Sequence, residues 1–387
     1  MKYTQIYDFV NKVNKLAWGV NAIEVVDTTG LIATGEQVFS TAANTDIWMQ
    51  KCPDVLYDQF IANRKRKTKT YSNIYKTNHE YGAYMEKIVV KVPDAIEESA
   101  WKLQNGQVLN NPKAAFPDVN VNLYQSNNVY RFDITLPVDQ LKSAFMSEDK
   151  FAAFIAAIAL EMENKIDATA ANVARICVNN FIAEKYDYAT KHAGEGIHAV
   201  NILADYNTKT GKTLTIAQAM RDEDFLRESS ATMMKYINRM ADDSTVFNIN
   251  QINRQTDKDH LNLIVHSEYI QNLNTYLKSS TFHDNLVGEL GAAYDETNFW
   301  QASGKTYDFA TTSKIEMTTS GGTSVTIPCV IGVAFDVDAL GFTWDYKKVR
   351  NFYSPEYDVN HQIHSIGTGM FNDYGNENGI VFYMSES

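Results

Sequence analysis

The pattern of apolar and polar positions divides the first third of the chain into three segments. Residues 1–20 place apolar side chains at helical spacing, which predicts an amphipathic helix. Residues 21–50 are rich in Thr, Ala, Asn and Gly and predict an extended, partly irregular segment with little core of its own. Residues 81–137 alternate apolar with polar side chains between turn residues, which predicts β-strands. Because a two-stranded ribbon cannot bury itself, we expect this segment to need a partner surface.

The longest regular pattern begins at Ser147. Apolar side chains recur at helical spacing from there to about Glu184, and neither Gly nor Pro occurs between Ser147 and Gly194. Ser147 is a good N-cap, and the acidic residues Glu148 and Asp149 follow in the first turn, where the helix dipole favours them. The pattern predicts one helix of roughly 54 Å at about 1.5 Å per residue. Since its heptad fit is imperfect, we expect this helix to pack on a sheet rather than in a coiled coil.

The second half of the chain predicts a mixed α/β unit. The expected elements are helices at 215–241 and 267–278, and strands at 261–266, 331–335 and 380–383. Gly321 and Gly322 predict a hairpin turn between two further strands. Residues 347–383 alternate polar and aromatic side chains, which predicts closing strands. Helices and strands are therefore mixed along the chain, as in an α+β protein.

The composition is that of a globular protein. The chain has 387 residues, enough for two or three packed units, with 44% apolar and 21% charged residues. A formal net charge of -12 argues against a dedicated nucleic-acid-binding protein, which usually presents a strongly basic domain. The N-terminus has no signal-peptide pattern, and the longest strongly apolar stretch, Phe151–Leu160, is too short to span a bilayer. We therefore expect the protein to be made and kept in the cytoplasm, without a membrane partner.

Motifs for metal or nucleotide chemistry are weak. The cysteines at 52, 177 and 329 form no CxxC pair, and Cys177 falls on the apolar side of the long helix, so we expect it to be a buried free thiol. Gly211, Lys212 and Thr213 resemble the end of a phosphate-binding loop, but Tyr206 stands where that motif requires Gly. The preceding residues, Asn207–Thr210, also predict a surface turn rather than a nucleotide site.

Two histidines and a glycine pair are the remaining candidates for chemistry. His361 and His364 lie three apart in a strand-like alternation, so we expect their side chains to point to opposite faces and not to share a metal. Gly194 and Gly196 suggest the exit of a helix rather than a dinucleotide loop, because Ala199 occupies the last Gly position of that motif. We predict no catalytic residue, no metal and no cofactor.

Four stretches carry a family resemblance: Tyr130–Pro137, Leu141–Met146, Phe335–Trp344 and Lys348–Tyr353. Together with the order of ribbon, long helix, mixed unit and closing strands, they resemble a tailed-phage major capsid protein of the Hong Kong 97 type. The resemblance is greatest to short-tailed phages of the phi-twenty-nine kind, and it covers nearly the whole chain.

The resemblance implies a domain organisation and a function. It implies an α+β, Hong Kong 97-type capsid fold with an N-terminal arm (1–60), an extended β loop (64–137), a peripheral domain with the spine helix (138–195 and 346–387) and an axial domain (196–345). Such subunits self-assemble into pentamers and hexamers that form the icosahedral phage head around the double-stranded DNA genome. The implied partners are a scaffolding protein, a portal protein and packaged DNA held by non-specific contact. The implied location is the virion capsid, after assembly in the host bacterial cytoplasm.

One basic run is the candidate contact site. It comprises Arg64, Lys65, Arg66, Lys67 and Lys69, and no acidic residue occurs between Asp58 and Glu80. A solvated loop face is one interpretation. Contact with an acidic neighbouring subunit or with the phosphates of packaged DNA is the other.

Two alternatives to a phage capsid protein stay open from the sequence. The first is an encapsulin-type nanocompartment shell of the same fold, although the long N-terminal arm argues against it. The second is an enzyme with an unrecognised site, for which His361 and His364 are the only motivation.

Overall fold

The computed structural model describes residues 3–41, 43–49, 51, 74, 85–91, 116–124, 128–137, 139, 148–278, 292–301, 308–354 and 356–386. The helices are α1 (Tyr3–Trp18), α2 (Thr28–Phe39), α3 (Glu148–Lys191), α4 (Ile202–Thr210), α5 (Ile216–Ala219), α6 (Glu223–Met240), α7 (Ser267–Leu273) and α8 (Phe309–Thr312). The strands are β1 (Met85–Lys91), β2 (Asp118–Tyr124), β3 (Asn128–Pro137), β4 (Ala199–Asn201), β5 (Leu261–His266), β6 (Asp295–Thr297), β7 (Ile315–Thr318), β8 (Ser324–Ile327), β9 (Val330–Asp336), β10 (Leu340–Ser354), β11 (Val359–Asn372) and β12 (Gly379–Tyr383). The protein is therefore a mixed α+β protein, as predicted.

The chain packs as two compact units. The first comprises Met1–Gly82, Asn127–Ile176 and Phe342–Gly369, and the second comprises Ala83–Ser126, Cys177–Gly341 and Met370–Ser387. The boundary at 176 and 177 falls inside α3. The division into arm, loop, peripheral and axial regions stays a prediction.

The N-terminal segment of the first unit has a core of its own. The buried side chains are Phe9, Val10, Val13, Val25, Leu31, Val38, Trp48 and Met49. Trp48 is fully buried, and its indole Nε1–H donates to the Asn14 Oδ1 at 2.9 Å. The Asn14 amide in turn donates to the Ile23 carbonyl at 3.0 Å, so both the oxygen and the nitrogen of this buried amide are paired.

The prediction of an extended, irregular segment at 21–50 was wrong. This range contains α2 and a further helical stretch at 43–49. The Asp27 side chain caps α2 by accepting from the Gly30 N–H at 2.8 Å, and the buried residues Leu31, Thr34, Gly35 and Val38 recur at helical spacing. Thr and Gly are weak helix formers, but burial of this stripe outweighs their propensity.

The sheet of the first unit has the order β10-β11-β3. Strands β3 and β11 are antiparallel. The inner face of β3 contributes Phe132 and Ile134, which pack with the buried Met162, Ile166 and Ile366. Since Met162 and Ile166 belong to α3, the prediction that the long helix packs on a sheet is confirmed for this part of the helix. Its extent, Glu148–Lys191, agrees with the predicted start and runs past the predicted end.

The second unit is built on a five-stranded sheet with the order β4-β12-β9-β5-β6. The inner pairs β12–β9 and β9–β5 are antiparallel, whereas β4 and β6 join the edges in parallel. Every residue of β5 is buried, and α6 packs Phe225, Leu226 and Met233 into the same core. The predicted strands at 261–266, 331–335 and 380–383 are confirmed in this sheet, as is the turn at Gly321 and Gly322 between β7 and β8.

Candidate functional site

Strands β1 and β2 pair with each other as an antiparallel two-stranded ribbon in the second unit. The register runs from Met85 opposite Tyr124 to Lys91 opposite Asp118. Because successive side chains of a strand point to opposite faces, and directly opposed residues share a face, this register fixes two distinct faces. We call them the apolar face and the lysine face.

The apolar face of the ribbon is exposed. Its apolar side chains are Ile88, Val90, Val119, Val121 and Leu123, whose exposed fractions lie between 48% and 61%, and the exposed Glu86 lies opposite Leu123 at one end of the same face. Antiparallel sheets in soluble proteins usually turn their apolar face towards the core and their polar face to water. Here the arrangement is reversed. A contiguous exposed apolar surface of this kind marks an interaction site.

The lysine face is held by an ion-pair cluster. The Lys87 Nζ lies 2.8 Å from the Asp373 Oδ2 and 2.5 Å from the Glu377 Oε1. It also donates to the Asp338 carbonyl at 3.1 Å. The contact with Asp373 is an ion pair without hydrogen-bond geometry, because the Asp373 Oδ2 has no hydrogen-bond donor. On the same face Val89 is buried, and the Tyr124 ring lies 5.9 Å from that of Phe371.

The two carboxylates of this cluster are almost completely buried, with side chains 2% exposed for Asp373 and 3% for Glu377. The Arg254 guanidinium pairs with the Glu377 Oε1 at 3.0 Å, and the Asn376 amide donates to the Asp373 Oδ1 at 2.9 Å. Burial raises the pKa of Glu377, although Lys87 and Arg254 act to lower it. The cluster therefore depends on its cations to keep this carboxylate charged.

A second buried amine lies beside the carboxylates. The Lys185 side chain is fully buried on α3, and its Nζ donates to the Phe247 carbonyl at 2.9 Å and the Glu377 carbonyl at 3.2 Å. Burial lowers the pKa of Lys185 to about 7, with Asp373 and Glu377 acting in the opposite direction. Burial also lowers the pKa of His198 to about 4, and the Lys185 charge acts in the same direction. The cluster thus contains groups that change charge between neutral and acidic pH.

The predicted contact site lies outside the described residues. Arg64, Lys65, Arg66, Lys67 and Lys69 all belong to that part of the chain, and so does Cys52. Cys177 is buried, as predicted, and its thiol lies 3.5 Å from the Phe371 carbonyl. Burial raises the pKa of this thiol to about 12, so it is a packing residue rather than a nucleophile.

The two histidines occupy β11 as a strand, so their side chains point to opposite faces, as predicted. The His361 Nδ1 lies 3.1 Å from the Thr135 hydroxyl, and its ring stacks on Phe352 with 4.9 Å between centroids. Among the described residues, no group of three or more His, Cys, Asp or Glu side chains could hold a metal ion.

The prediction of a surface turn at Asn207–Thr210 was wrong, because these residues form the last turn of α4 and the turn comes at Gly211. Gly211 ends α4 in the left-handed conformation, with φ 70°. The Lys212 Nζ contacts the Tyr206 hydroxyl at 3.1 Å and the Asp222 carboxylate at 3.4 Å, so it is engaged with neighbouring side chains. No helix in the described part of the chain combines the length and apolarity needed to cross a membrane.

The fold is that of a phage capsid protein. The capsid structure of Staphylococcus phage Andhra matches with a TM-score of 0.51 at 12% identity, over 81% of this chain and 83% of that chain. The structure of head fiber and inner core protein gp22 of native bacteriophage P68 also matches, with a TM-score of 0.47 at 12% identity over 81% and 83%. The fold assignment rests on the Andhra capsid, whose score is the higher of the two.

The family follows from the sequence. A family model for the Phi29-like phage major capsid protein matches residues 10–383, so the chain belongs to this family and is a phage major capsid protein. This confirms the resemblance drawn from the sequence and does not favour the nanocompartment alternative. A comparison with curated proteins found no match.

Proposed function

We propose that copies of this chain assemble into pentamers and hexamers through the apolar face of the ribbon, and so form the icosahedral phage head. Family membership supports a shell role. The observation that carries the proposal is the exposed row of five apolar side chains on β1 and β2. Fully burying one such side chain stabilises a contact by about 1.5–3 kcal/mol. Since these five are already about half buried, covering all of them contributes roughly half of that for each.

The architecture we propose is the Hong Kong 97 type, with an arm at 1–60, an extended loop at 64–137, a peripheral domain at 138–195 and 346–387, and an axial domain at 196–345. The observed order of ribbon, long helix and mixed sheet supports it. The exposed face of the ribbon then corresponds to the extended loop, which would lie on a neighbouring subunit. Heterologous contacts repeated around a closing axis build shells of this symmetry.

We also propose the partners and the place of assembly. The shell would form in the host bacterial cytoplasm on a scaffolding protein, include a portal protein, and enclose double-stranded DNA held by non-specific contact. The basic run from Arg64 to Lys69 would meet either a neighbouring subunit or packaged DNA. Neutralising this run should weaken shells most at low salt if it meets a subunit, because screening is then least. Intact shells with reduced DNA retention would favour the DNA contact.

A pair of substitutions on neighbouring residues of β2 tests the role of the apolar face. Val121→Asp places a charge on the apolar face, and Asn120→Asp places the same residue on the lysine face. Burying an unpaired carboxylate in an apolar contact costs several kcal/mol. We therefore expect Val121→Asp to reduce the yield of shells by at least about tenfold, whereas Asn120→Asp leaves most of it.

The assay is co-expression with the scaffolding protein, followed by sucrose-gradient sedimentation. Equal thermal unfolding of the two variant subunits is the control for folding. Shell yields that are equal for Val121→Asp and the unchanged protein would remove the apolar face from the assembly contact.

A further inference from the structure

The ribbon has the orientation that the hydrophobicity of its two faces disfavours. Its apolar face is exposed, while the part of its lysine face around Lys87 and Val89 packs inward, where Val89 is 4% exposed. In water, turning five apolar side chains inward would be favoured by the hydrophobic effect. A specific interaction must therefore hold the ribbon with its lysine face inward.

Lys87 supplies that interaction. Its amine forms ion pairs with Asp373 at 2.8 Å and Glu377 at 2.5 Å and donates to the Asp338 carbonyl at 3.1 Å, and the side chains of the two carboxylates are only 2% and 3% exposed. Contacts between groups of opposite charge are among the stronger polar interactions in proteins. Removing Lys87 would also leave two buried carboxylates with one fewer cation, which is strongly unfavourable. The ion pair therefore favours the orientation in which Lys87 points inward.

We propose that the contact of Lys87 with Asp373 and Glu377 is a clamp that keeps the apolar face of the ribbon outward in the unassembled subunit, and that neutralising Glu377 opens it. The consequence for shell formation rests on the function proposed above; the clamp itself does not. The device makes presentation of the assembly surface dependent on acidity. The rest of the second unit need not unfold for the ribbon to be released.

The surroundings of the carboxylates fit a clamp that acid can open. The charged and titratable groups around them are Lys87, Arg254, Lys185, Asp336 and Tyr124, with His198 beside Lys185. Burial and the charge of Asp336 act to raise the pKa of Glu377, so this carboxyl takes up a proton more readily than an exposed one. Protonation removes its attraction for Lys87.

The pH dependence expected for ribbon release differs from the pH dependence expected for unfolding of the second unit. A carboxyl whose pKa is raised by folding binds its proton more tightly in the folded state than in the unfolded state. Taking up that proton therefore costs the second unit no stability through Glu377. His198 acts in the other direction, because its lowered pKa makes folding less favourable as pH falls from 6.5 towards about 4. Release should accordingly precede acid unfolding.

Thiol labelling of the ribbon tests the clamp directly in the full-length, unassembled subunit. Val89→Cys places a thiol on the buried lysine face, and Ile88→Cys places one on the exposed apolar face. Both are made in a Cys52→Ser background, since Cys177 and Cys329 are buried. The rate of maleimide labelling at position 89, divided by that at position 88, measures how often the lysine face opens.

We expect position 89 to label at least about tenfold more slowly than position 88 while the clamp is intact. Lys87→Met should raise the ratio about tenfold or more, which matches the loss of one charged hydrogen bond. Lys91→Met, an exposed lysine on the same face, should leave it unchanged. In the subunit that retains Lys87, the ratio should also rise when pH falls from about 7 to about 5, before the circular dichroism signal is lost.

A ratio that Lys87→Met leaves unchanged would overturn the clamp. If that variant does not fold, the pH series on the unchanged protein is used instead. A labelling ratio that stays constant down to the pH at which the subunit unfolds would also overturn the clamp. Shell formation is scored separately on the same preparations. If the labelling ratio depends on Lys87 as expected but the subunit forms no shells, only the proposed function is refuted. If the subunit forms shells but Lys87→Met leaves the labelling ratio unchanged, only the clamp is refuted.

Discussion

Replacing Lys185 by Met should remove a large pH dependence of stability. In water a lysine has a pKa near 10.5, and burial in the second unit lowers it to about 7. The unfolded chain therefore keeps this proton up to about pH 10.5, while the folded chain releases it above about 7. Since the unfolded state holds more protons in this window, stability rises with pH from about 7 to about 10.5 because of this group.

The size of the effect follows from the change in pKa. At roughly 1.4 kcal/mol per pH unit, a pKa that falls from 10.5 to about 7 corresponds to about 5 kcal/mol of unfavourable burial at neutral pH. Lys185→Met also removes the donor to the Phe247 and Glu377 carbonyls. The Phe247 carbonyl still accepts from the Gly379 N–H at 3.1 Å, so mainly the Glu377 carbonyl is left unpaired. That costs about 1–3 kcal/mol, which leaves a net gain of about 2–4 kcal/mol near pH 7.

The assay is urea unfolding of the unassembled subunit at several pH values between about 7 and about 10, followed by circular dichroism. Lys165→Met, at an exposed position of the same helix, is the matched control and should change the slope of stability against pH much less. The slope of the free energy of unfolding against pH is compared between each variant and the unchanged protein. Equal slopes for Lys185→Met and the unchanged protein would show that burial of this amine does not make the stability depend on pH.

Two further substitutions test the packing of each unit by thermal unfolding. Gly379→Ala would place a Cβ 2.4 Å from the Phe181 ring, so we expect a loss of about 1–3 kcal/mol, whereas Gly375→Ala meets only the end of a flexible amide at 3.3 Å and should lose less. Asn14→Ala would leave the buried Trp48 indole N–H without its acceptor and should cost about 1–3 kcal/mol. Unchanged melting of Gly379→Ala, or of Asn14→Ala, would contradict the packing described for that unit.

Much of the fold could be predicted because its signals are local. The strand Leu261–His266 and the long helix from Glu148 follow patterns that a continuous stretch of sequence contains. The segment at 21–50 was mispredicted for the opposite reason. Its weak helix formers become helical because Trp48 and residues of α1 cover their buried stripe, and that tertiary contact has no local signal.

The strands of the ribbon could be predicted from the sequence, but their tertiary contacts could not. The alternation that made β1 and β2 strands also predicted the need for a partner surface, and the apolar face fits that expectation. The same pattern predicts β3 as part of this β segment, yet β3 pairs with the distant β11 in another sheet. The cluster of Lys87, Asp373 and Glu377 joins segments far apart in the chain, so nothing in the sequence around any one of them identifies the others.

Negative-stain electron microscopy of the full chain, co-expressed with its scaffolding protein, tests whether copies of this chain build a shell. Closed particles tens of nanometres across are expected. Only small soluble species, from a subunit that is folded and with the scaffolding protein present, would contradict this expectation.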